Sequence, residues 1–188
     1  MTAAGVSRAD TTMSVGRANL LALAWLPVSA ALALLPFLAL RGPAHLTTHP
    51  PTMPPLAIGL LLMAAGVLVH ELLHAVGFLL FGRAPRSQVR LGFQPRTLTP
   101  FASCRVPVTA SAYRAAGLLP AVVLGGLPIA AAWATGSSTL LLWGWLMLAL
   151  AGGDVAAVWA MRRVPADAMV VDDPQRVGCR MADAERRG

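Results

Sequence analysis

One short segment of the sequence holds three residues that could bind and use a metal ion. His70, Glu71 and His74 form the pattern His-Glu-x-x-His. On a helix, residues four positions apart differ by about 40° around the axis, so both imidazoles project from one face. Two neutral histidine nitrogens supply two corners of a tetrahedral zinc site. The spacing therefore predicts a zinc site with His70 and His74 as ligands.

Glu71 is predicted to be a catalytic group rather than a ligand. It is rotated by about 100° from His70 around the helix axis. Its carboxylate can therefore reach a water molecule beside the metal without binding the metal itself. A carboxylate in that position acts as a general base and later passes the proton to a leaving amine. The pattern thus predicts hydrolysis of a peptide bond with Glu71 as the base.

Asp154 is the predicted third ligand, since a catalytic zinc ion normally has three protein ligands. The other histidines, His45 and His49, fall in a loop between two apolar segments, whereas Asp154 is the only acidic residue in the last apolar segment. If that segment and the one carrying His74 run toward the same side, both residues lie about 10 Å from that side at 1.5 Å per residue. We therefore predict that His70, His74 and Asp154 bind the zinc ion.

These assignments have alternatives that involve no metal. The histidine pattern can arise by chance, with both imidazoles as hydrogen-bonded core groups. Asp154 follows Gly152 and Gly153, so it could cap a terminal helix from Val155 to Arg162, a role that does not exclude metal binding. A proton shared between Glu71 and Asp154 is a further arrangement. An ionisable residue inside a membrane costs roughly 2.5–3.5 kcal/mol, and a bound divalent ion offsets that cost, which favours the metal site.

The elements that must position these residues are strongly apolar. The chain has 188 residues, of which 56% are hydrophobic and only 12% are charged, against roughly 25% charged in an ordinary soluble domain. This composition excludes a disordered chain, a coiled coil and a typical soluble globule. Apolar segments of about 18 or more residues with few charges are typical of membrane-spanning helices. We predict four spans, at residues 19–40, 56–81, 115–134 and 140–161.

The basic residues predict the orientation of these spans. The net charge is +7, and every basic residue is an arginine. The arginines flank the apolar segments, which is typical of topology signals and not of a nucleic-acid-binding surface. They are concentrated in residues 1–18, 83–112 and 162–188. We therefore predict a multi-pass protein of the cell membrane with both termini in the cytoplasm.

The three predicted regions are a flexible N-terminus at residues 1–18, a membrane domain at 19–161 and a cytoplasmic tail at 162–188. The first span is expected to be retained, because its apolar run exceeds the 7–15 residues of a typical signal peptide.

The loop at residues 83–112 is predicted to form a small cytoplasmic β-hairpin between the second and third spans. Residues 87–93 alternate between polar and apolar, residues 97–108 are rich in β-formers, and Gln94-Pro95 could turn between them. The hairpin would either pair with an extended substrate strand or cover the zinc ion as a lid. Residues 168–171 could add another short strand nearby.

Four further residues outside the predicted zinc site could have a functional role. Tyr113 and Arg114 open the third span, where they could contact substrate or stabilise an oxyanion. Their position favours interfacial anchors instead. Cys104 and Cys179 both fall on the cytoplasmic side, where a disulfide is not expected.

Several segments together resemble the putative zincin membrane peptidases, a bacterial family that is similar to the site-2 proteases, which are intramembrane zinc metalloproteases. The resemblance runs from about residue 55 to 181. It rests on HELLHAVGFLLFG (70–82), LGFQPRTLTPFASC (91–104), YRAAGLLP (113–120), AGGDVAAVWAM (151–161) and VVDDPQRVGCRM (170–181). It implies that His70, His74 and Asp154 bind zinc and that Glu71 is the catalytic base. Site-2 proteases place a glycine after the distant aspartate, whereas Val155 follows Asp154 here.

The sequence therefore predicts a mainly α, polytopic membrane bundle that acts as a zinc-dependent metallopeptidase. Its substrate would be a membrane-tethered protein or peptide, cleaved within or next to the membrane near the cytoplasmic side. The alternative is a metal-binding membrane scaffold or chaperone without turnover. A metal transporter is less favoured, because the spans carry ionisable residues in one cluster only. No nucleic-acid partner is expected, and the sequence does not indicate an oligomeric state.

Overall fold

The computed structural model describes residues 12–94, 99–173 and 177–182, and it is mainly helical. The described residues also form two small antiparallel sheets. The α-helices are α1 (Val15–Arg41), α2 (Ala44–Thr48), α3 (Leu56–Leu80), α4 (Ala110–Pro120), α5 (Leu127–Thr135), α6 (Ser138–Leu150) and α7 (Gly152–Ala160).

Among the described residues, three helical segments are long and apolar enough to cross a membrane. These are α1, α3 and the continuous stretch Ala110–Thr135, which contains α4 and α5. Helices α6 and α7 are bent by 44° relative to each other and provide a fourth span if the pair counts as one. Each predicted apolar segment coincides with one of these elements.

Two helices begin earlier than the apolar patterns predict. Helix α1 starts at Val15 instead of residue 19, because the Ser14 hydroxyl accepts a hydrogen bond from the Arg17 N–H. Helix α4 starts at Ala110 instead of residue 115, because the Thr109 hydroxyl caps it in the same way. N-terminal caps of this kind satisfy backbone donors before the apolar stretch begins.

The long helices expose apolar side chains on their outer faces. Leu60 and Leu61 of α3 are 62% and 70% exposed, and Leu20 and Leu23 of α1 are 69% and 63% exposed. Continuous exposed apolar faces of this size are unfavourable in water and mark a contact surface. On helices of spanning length, that surface is suited to lipid.

The third span changes its helical winding midway. A π-helical segment, Ala121–Gly126, lies between α4 and α5, immediately after Pro120 and shortly before Pro128. Proline removes a backbone donor and clashes with the preceding turn, which is a common cause of such irregularities. In this segment Gly125 packs closely on α6, since a Cβ there would lie 2.9 Å from the Cβ of Leu148.

The bend between α6 and α7 is held by contacts with α1. The bend interrupts the helical hydrogen bonds, and the Trp25 indole N–H donates to the Leu148 carbonyl at 2.8 Å. Gly152 begins α7 against Ala22, because a Cβ at Gly152 would lie only 3.0 Å from the Ala22 Cα. The double glycine therefore allows the close packing of two helices that the sequence suggests. Gly152 is the glycine at the contact between α7 and α1.

The predicted hairpin is present. Strand β1 (Val89–Gln94) pairs antiparallel with β2 (Thr99–Cys104), with Val89 opposite Cys104. The predicted turn at Gln94-Pro95 lies partly outside the described residues. The β-forming run at 97–108 is not a single strand, because β2 ends at Cys104. Pro107, which cannot donate to a ladder, precedes the next strand.

The second sheet joins the start of α4 to the tail. It contains β3 (Val108–Thr109), β4 (Met169–Asp172) and β5 (Cys179–Met181) in the order β3-β4-β5, with antiparallel pairing. The expected short strand near residues 168–171 corresponds to β4. The two cysteines are buried thiols. They belong to a core cluster with Phe78, Ala116 and Met161, which fixes the sheets against the ends of α3, α4 and α7.

Candidate metal centre

His70 and His74 lie on the same buried face of α3. Their side chains are almost fully buried, and their Nε2 atoms are 3.2 Å apart. The i, i+4 spacing in one helix accounts for this arrangement. The two imidazole rings are nearly perpendicular, with centroids 4.9 Å apart.

Helix α7 brings Asp154 to the two imidazoles. Its Oδ2 lies 2.9 Å from the His70 Nε2, and its Oδ1 lies 3.2 Å from the His74 Nε2. In a tetrahedral zinc site with bonds of about 2.0 Å, neighbouring ligand atoms are about 3.3 Å apart. The three side chains are therefore spaced like the corners of such a site, and their donor set fits a zinc ion.

Asp154 does not cap a helix. Helix α7 begins at Gly152 with Ala151 as its N-cap residue, and no side chain supplies a capping hydrogen bond. Asp154 lies within the first turn and directs its carboxylate at the histidines. The capping alternative is therefore wrong.

His74 is oriented by the neighbouring helix α4. Its Nδ1 lies 3.0 Å from the Ala116 carbonyl oxygen. A carbonyl can only accept, so Nδ1 carries a proton, and in a neutral ring the lone pair then lies on Nε2, the nitrogen that would bind a metal ion. Histidine ligands of metals commonly have such a partner on the other ring nitrogen. The contact requires close helix packing at Gly77, where a Cβ would lie 2.6 Å from the Ala116 Cα.

The Glu71 carboxylate lies beside the histidines and contacts the hairpin. One potential ligand atom from each of His70, Glu71 and His74 lies within 4.8 Å of the others. The Glu71 Oε2 accepts a hydrogen bond from the backbone N–H of Ala102 in β2 at 2.8 Å. Strand β2 therefore holds the carboxylate at the edge of the cluster.

Residues 63–169, more than half of the chain, match the family described as "Putative zincin peptidase". The chain belongs to this family. The searches of curated proteins and of solved structures found no match to the chain. Membership in the zincin peptidase family indicates a zinc metallopeptidase with a zinc cofactor, and the matched range contains all four predicted site residues.

A cavity of about 150 Å³ opens beside the candidate metal centre. Glu71, His74 and Asp154 line it together with Tyr113 and Asp172. Its remaining lining comes from side chains and backbone of β2, α3, α4 and α7: Phe78, Ala102, Gly117, Ala157 and Val158. The cavity therefore joins the candidate metal centre to the hairpin and to the second sheet.

Asp172 is a site residue that the sequence did not single out. Its Oδ1 accepts a hydrogen bond from the Tyr113 hydroxyl, and its Oδ2 accepts one from the Cys104 backbone N–H, both at 2.7 Å. Burial raises the pKa of the Asp172 carboxyl above its usual range, and these two hydrogen bonds partly oppose that rise. The sequence shows an acidic residue at the end of a short apolar segment. Its position in the cavity, however, depends on the pairing of β4 with β3.

The outer edge of β2 faces the candidate metal centre. The Arg105 N–H donates to Gln88, on the β1 side of the hairpin. Alternate residues of a strand direct their backbone groups to opposite edges. Ala102 and Cys104 accordingly direct their N–H groups away from β1, toward Glu71 and Asp172.

His45 and Arg114 do not line the cavity. The His45 Nε2 forms a hydrogen bond with the Gly136 carbonyl oxygen at 2.8 Å, and its ring stacks on His49. The Arg114 guanidinium donates to the Met161 carbonyl oxygen at 2.6 Å and to that of Val164. Arg114 thus ties α4 to the end of α7, whereas its neighbour Tyr113 lines the cavity.

Proposed function

We propose that this protein is a zinc-dependent peptidase, similar to site-2 proteases, that cleaves a membrane-tethered protein or peptide within or next to the membrane. The observation that carries the proposal is the convergence of His70, His74 and Asp154 from two apolar helices, with the Glu71 carboxylate beside them. Carboxylates and histidines are rare in apolar helices and are functional there by default.

Each residue has a separate role in the proposed reaction. His70, His74 and Asp154 hold the zinc ion. When bound, zinc polarises the scissile carbonyl and makes water more acidic. Glu71 accepts the proton of the attacking water and then donates it to the leaving nitrogen. Before substrate binds, the hydrogen bond from Ala102 holds the Glu71 carboxylate beside the two histidines.

The hairpin is proposed to bind the substrate in an extended conformation. A peptide that pairs with the outer edge of β2 would receive the N–H groups of Ala102 and Cys104, as in β-strand addition. Those groups now donate to Glu71 and Asp172. Pairing would therefore release the Glu71 carboxylate at the moment when the scissile bond arrives.

The site is proposed to lie near the cytoplasmic side of a four-span bundle. His74 is six residues from the end of α3 at Leu80, which corresponds to about 9 Å of helix. The segment after α3 carries several arginines, and the positive-inside tendency then favours the cytoplasm for this end and for both termini.

The cavity favours an enzyme over a metal-binding scaffold or chaperone. Its volume of about 150 Å³ would hold roughly five water molecules at about 30 Å³ each. Hydrolysis needs water beside a base, and Glu71 lines this space. A scaffold needs neither feature.

The proposal is tested by comparing the purified wild-type protein with the Glu71→Gln variant in lipid vesicles. Both should bind one zinc ion per chain, since Glu71 is not a proposed ligand. Only the wild type should cleave a peptide tethered to the vesicle by one apolar helix, and a chelator should abolish that cleavage until zinc is restored.

Two results would overturn the proposal. Equal cleavage by both proteins would remove Glu71 from the reaction. A zinc-loaded wild type that cleaves none of a broad library of tethered peptides would favour the scaffold.

A further inference from the structure

We propose that Asp172 makes this peptidase prefer a lysine or arginine beside the scissile bond. The inference rests on the proposed peptidase function and adds the substrate class. Asp172 lines the same cavity as Glu71 and Asp154. A carboxylate so placed can contact a substrate side chain while the backbone reacts at the metal centre.

The charges in the cavity favour a cation in this position. A zinc ion carries two positive charges, which offset those of Glu71 and Asp154. Within the described part of the chain, Asp172 has hydrogen-bond donors but forms no ion pair with an arginine. The nearest basic residue to Tyr113 in sequence, Arg114, is directed at the carbonyl oxygens of Met161 and Val164. The Asp172 charge therefore remains to be balanced.

The hydrogen bonds of Asp172 leave room for one more donor. Each carboxylate oxygen accepts one hydrogen bond, from Tyr113 or from Cys104, whereas each can accept about two. An ammonium or guanidinium group could use the remaining acceptor sites. Charge-assisted hydrogen bonds of this kind are stronger than neutral ones.

The shape of the cavity also suits a long basic side chain. Phe78, Ala157 and Val158 supply apolar lining, and Asp172 supplies the polar group. Lysine and arginine have an apolar stem and a charged head, so they match such a surface. A volume of about 150 Å³ is sufficient for one side chain.

The membrane would present such residues to the site. Segments that flank membrane spans on the cytoplasmic side are enriched in lysine and arginine. A tethered substrate that enters near that side would therefore bring basic residues to the cavity together with its cleavable bond.

The test uses tethered peptides that differ at one position. A single lysine is moved through the three positions on either side of the cleavage site, and norleucine or glutamate replaces it in matched peptides. At one position, wild-type kcat/KM should be about tenfold or more higher for lysine than for norleucine, as expected for a charged hydrogen bond. Glutamate should be the poorest residue there.

Two variants assign the preference to one carboxylate. Asp172→Asn should reduce the lysine-to-norleucine ratio to within about twofold of unity. The control Asp167→Asn makes the same charge change at an exposed position of the same tail and should keep the wild-type ratio. The affinities of the same peptides for zinc-loaded Glu71→Gln, measured by fluorescence anisotropy, should show the preference without turnover.

The outcomes separate the two proposals. Equal wild-type rates for lysine and norleucine at every position would overturn the assignment of Asp172 and leave the peptidase function intact. A lysine preference that survives in Asp172→Asn would also overturn it. If the wild type cleaves no peptide, the peptidase proposal fails, and the anisotropy ratio alone decides whether Asp172 binds a cation.

Discussion

Gly77→Ala should weaken zinc binding although Gly77 touches no proposed ligand atom. Helices α3 and α4 meet at this residue, where an added Cβ would lie 2.6 Å from the Ala116 Cα and 2.8 Å from its Cβ. Carbon atoms prefer a separation of about 3.5–4.0 Å. The helices must therefore move apart locally by about 1 Å.

That displacement reaches the metal centre through His74. The His74 Nδ1 to Ala116 oxygen distance is 3.0 Å, and an increase of about 1 Å takes it beyond hydrogen-bond range. Loss of the partner that orients a ligating histidine typically reduces metal affinity by about 10- to 100-fold. We expect a loss of zinc affinity in that range, with the protein still folded.

The assay is a competition for zinc between the protein and a chromophoric chelator in detergent. Gly59→Ala is the matched control, because it is the same change in the same helix and the new Cβ would meet only the Pro54 Cγ at 3.7 Å. It should leave zinc affinity unchanged. A folded Gly77→Ala protein with zinc affinity within twofold of the wild type would show that His74 does not depend on this helix contact to bind zinc.

Two further predictions concern the tail and the topology. The pKa of Asp172 is raised in the folded state, so folding is favoured less as pH rises from about 3.9 through that raised value. Asp172→Asn should remove this pH-dependent loss of stability. The free energy of unfolding of both proteins, measured across this pH range, tests the prediction, and the same pH dependence in both would contradict it. Four spans predict that alkaline phosphatase is active when fused after Thr48 or Gly136 and inactive when fused after Arg163. Activity at the last site would contradict cytoplasmic termini.

The candidate metal centre was predictable from the sequence to the extent that it depends on local geometry. His70 and His74 are related by one turn of a helix, so their spacing in sequence fixes their spacing in space. Asp154 was identified for another reason, since a lone acid in an apolar segment needs a partner. The structure places its carboxylate 2.9 and 3.2 Å from the two imidazoles.

The contacts around the metal centre depend on tertiary packing and were not predictable. The amide of Ala102 reaches Glu71 only because the register of β2 directs it away from β1. Asp172 reaches the cavity because β4 pairs with β3, at the start of α4. Residues 97–108 read as one β-forming run, although they contribute to two sheets on either side of Pro107.

The helix ends show a different limit. The apolar pattern marks where a span lies in hydrocarbon, whereas the capping residues determine where the helix begins. Ser14 and Thr109 accept hydrogen bonds from the first turns of α1 and α4. Both helices therefore extend beyond their apolar segments by four or five residues.

In the proposed enzyme, three side chains from α3 and α7 bind one zinc ion while Glu71 remains free to act as a base. An anomalous difference map from crystals of the zinc-loaded protein, recorded at the zinc edge, tests it directly. We predict one peak at about 2.0–2.2 Å from the Nε2 atoms of His70 and His74 and from one oxygen of Asp154. A peak ligated by Glu71 in place of Asp154, or no peak between α3 and α7, would contradict the proposed zinc site.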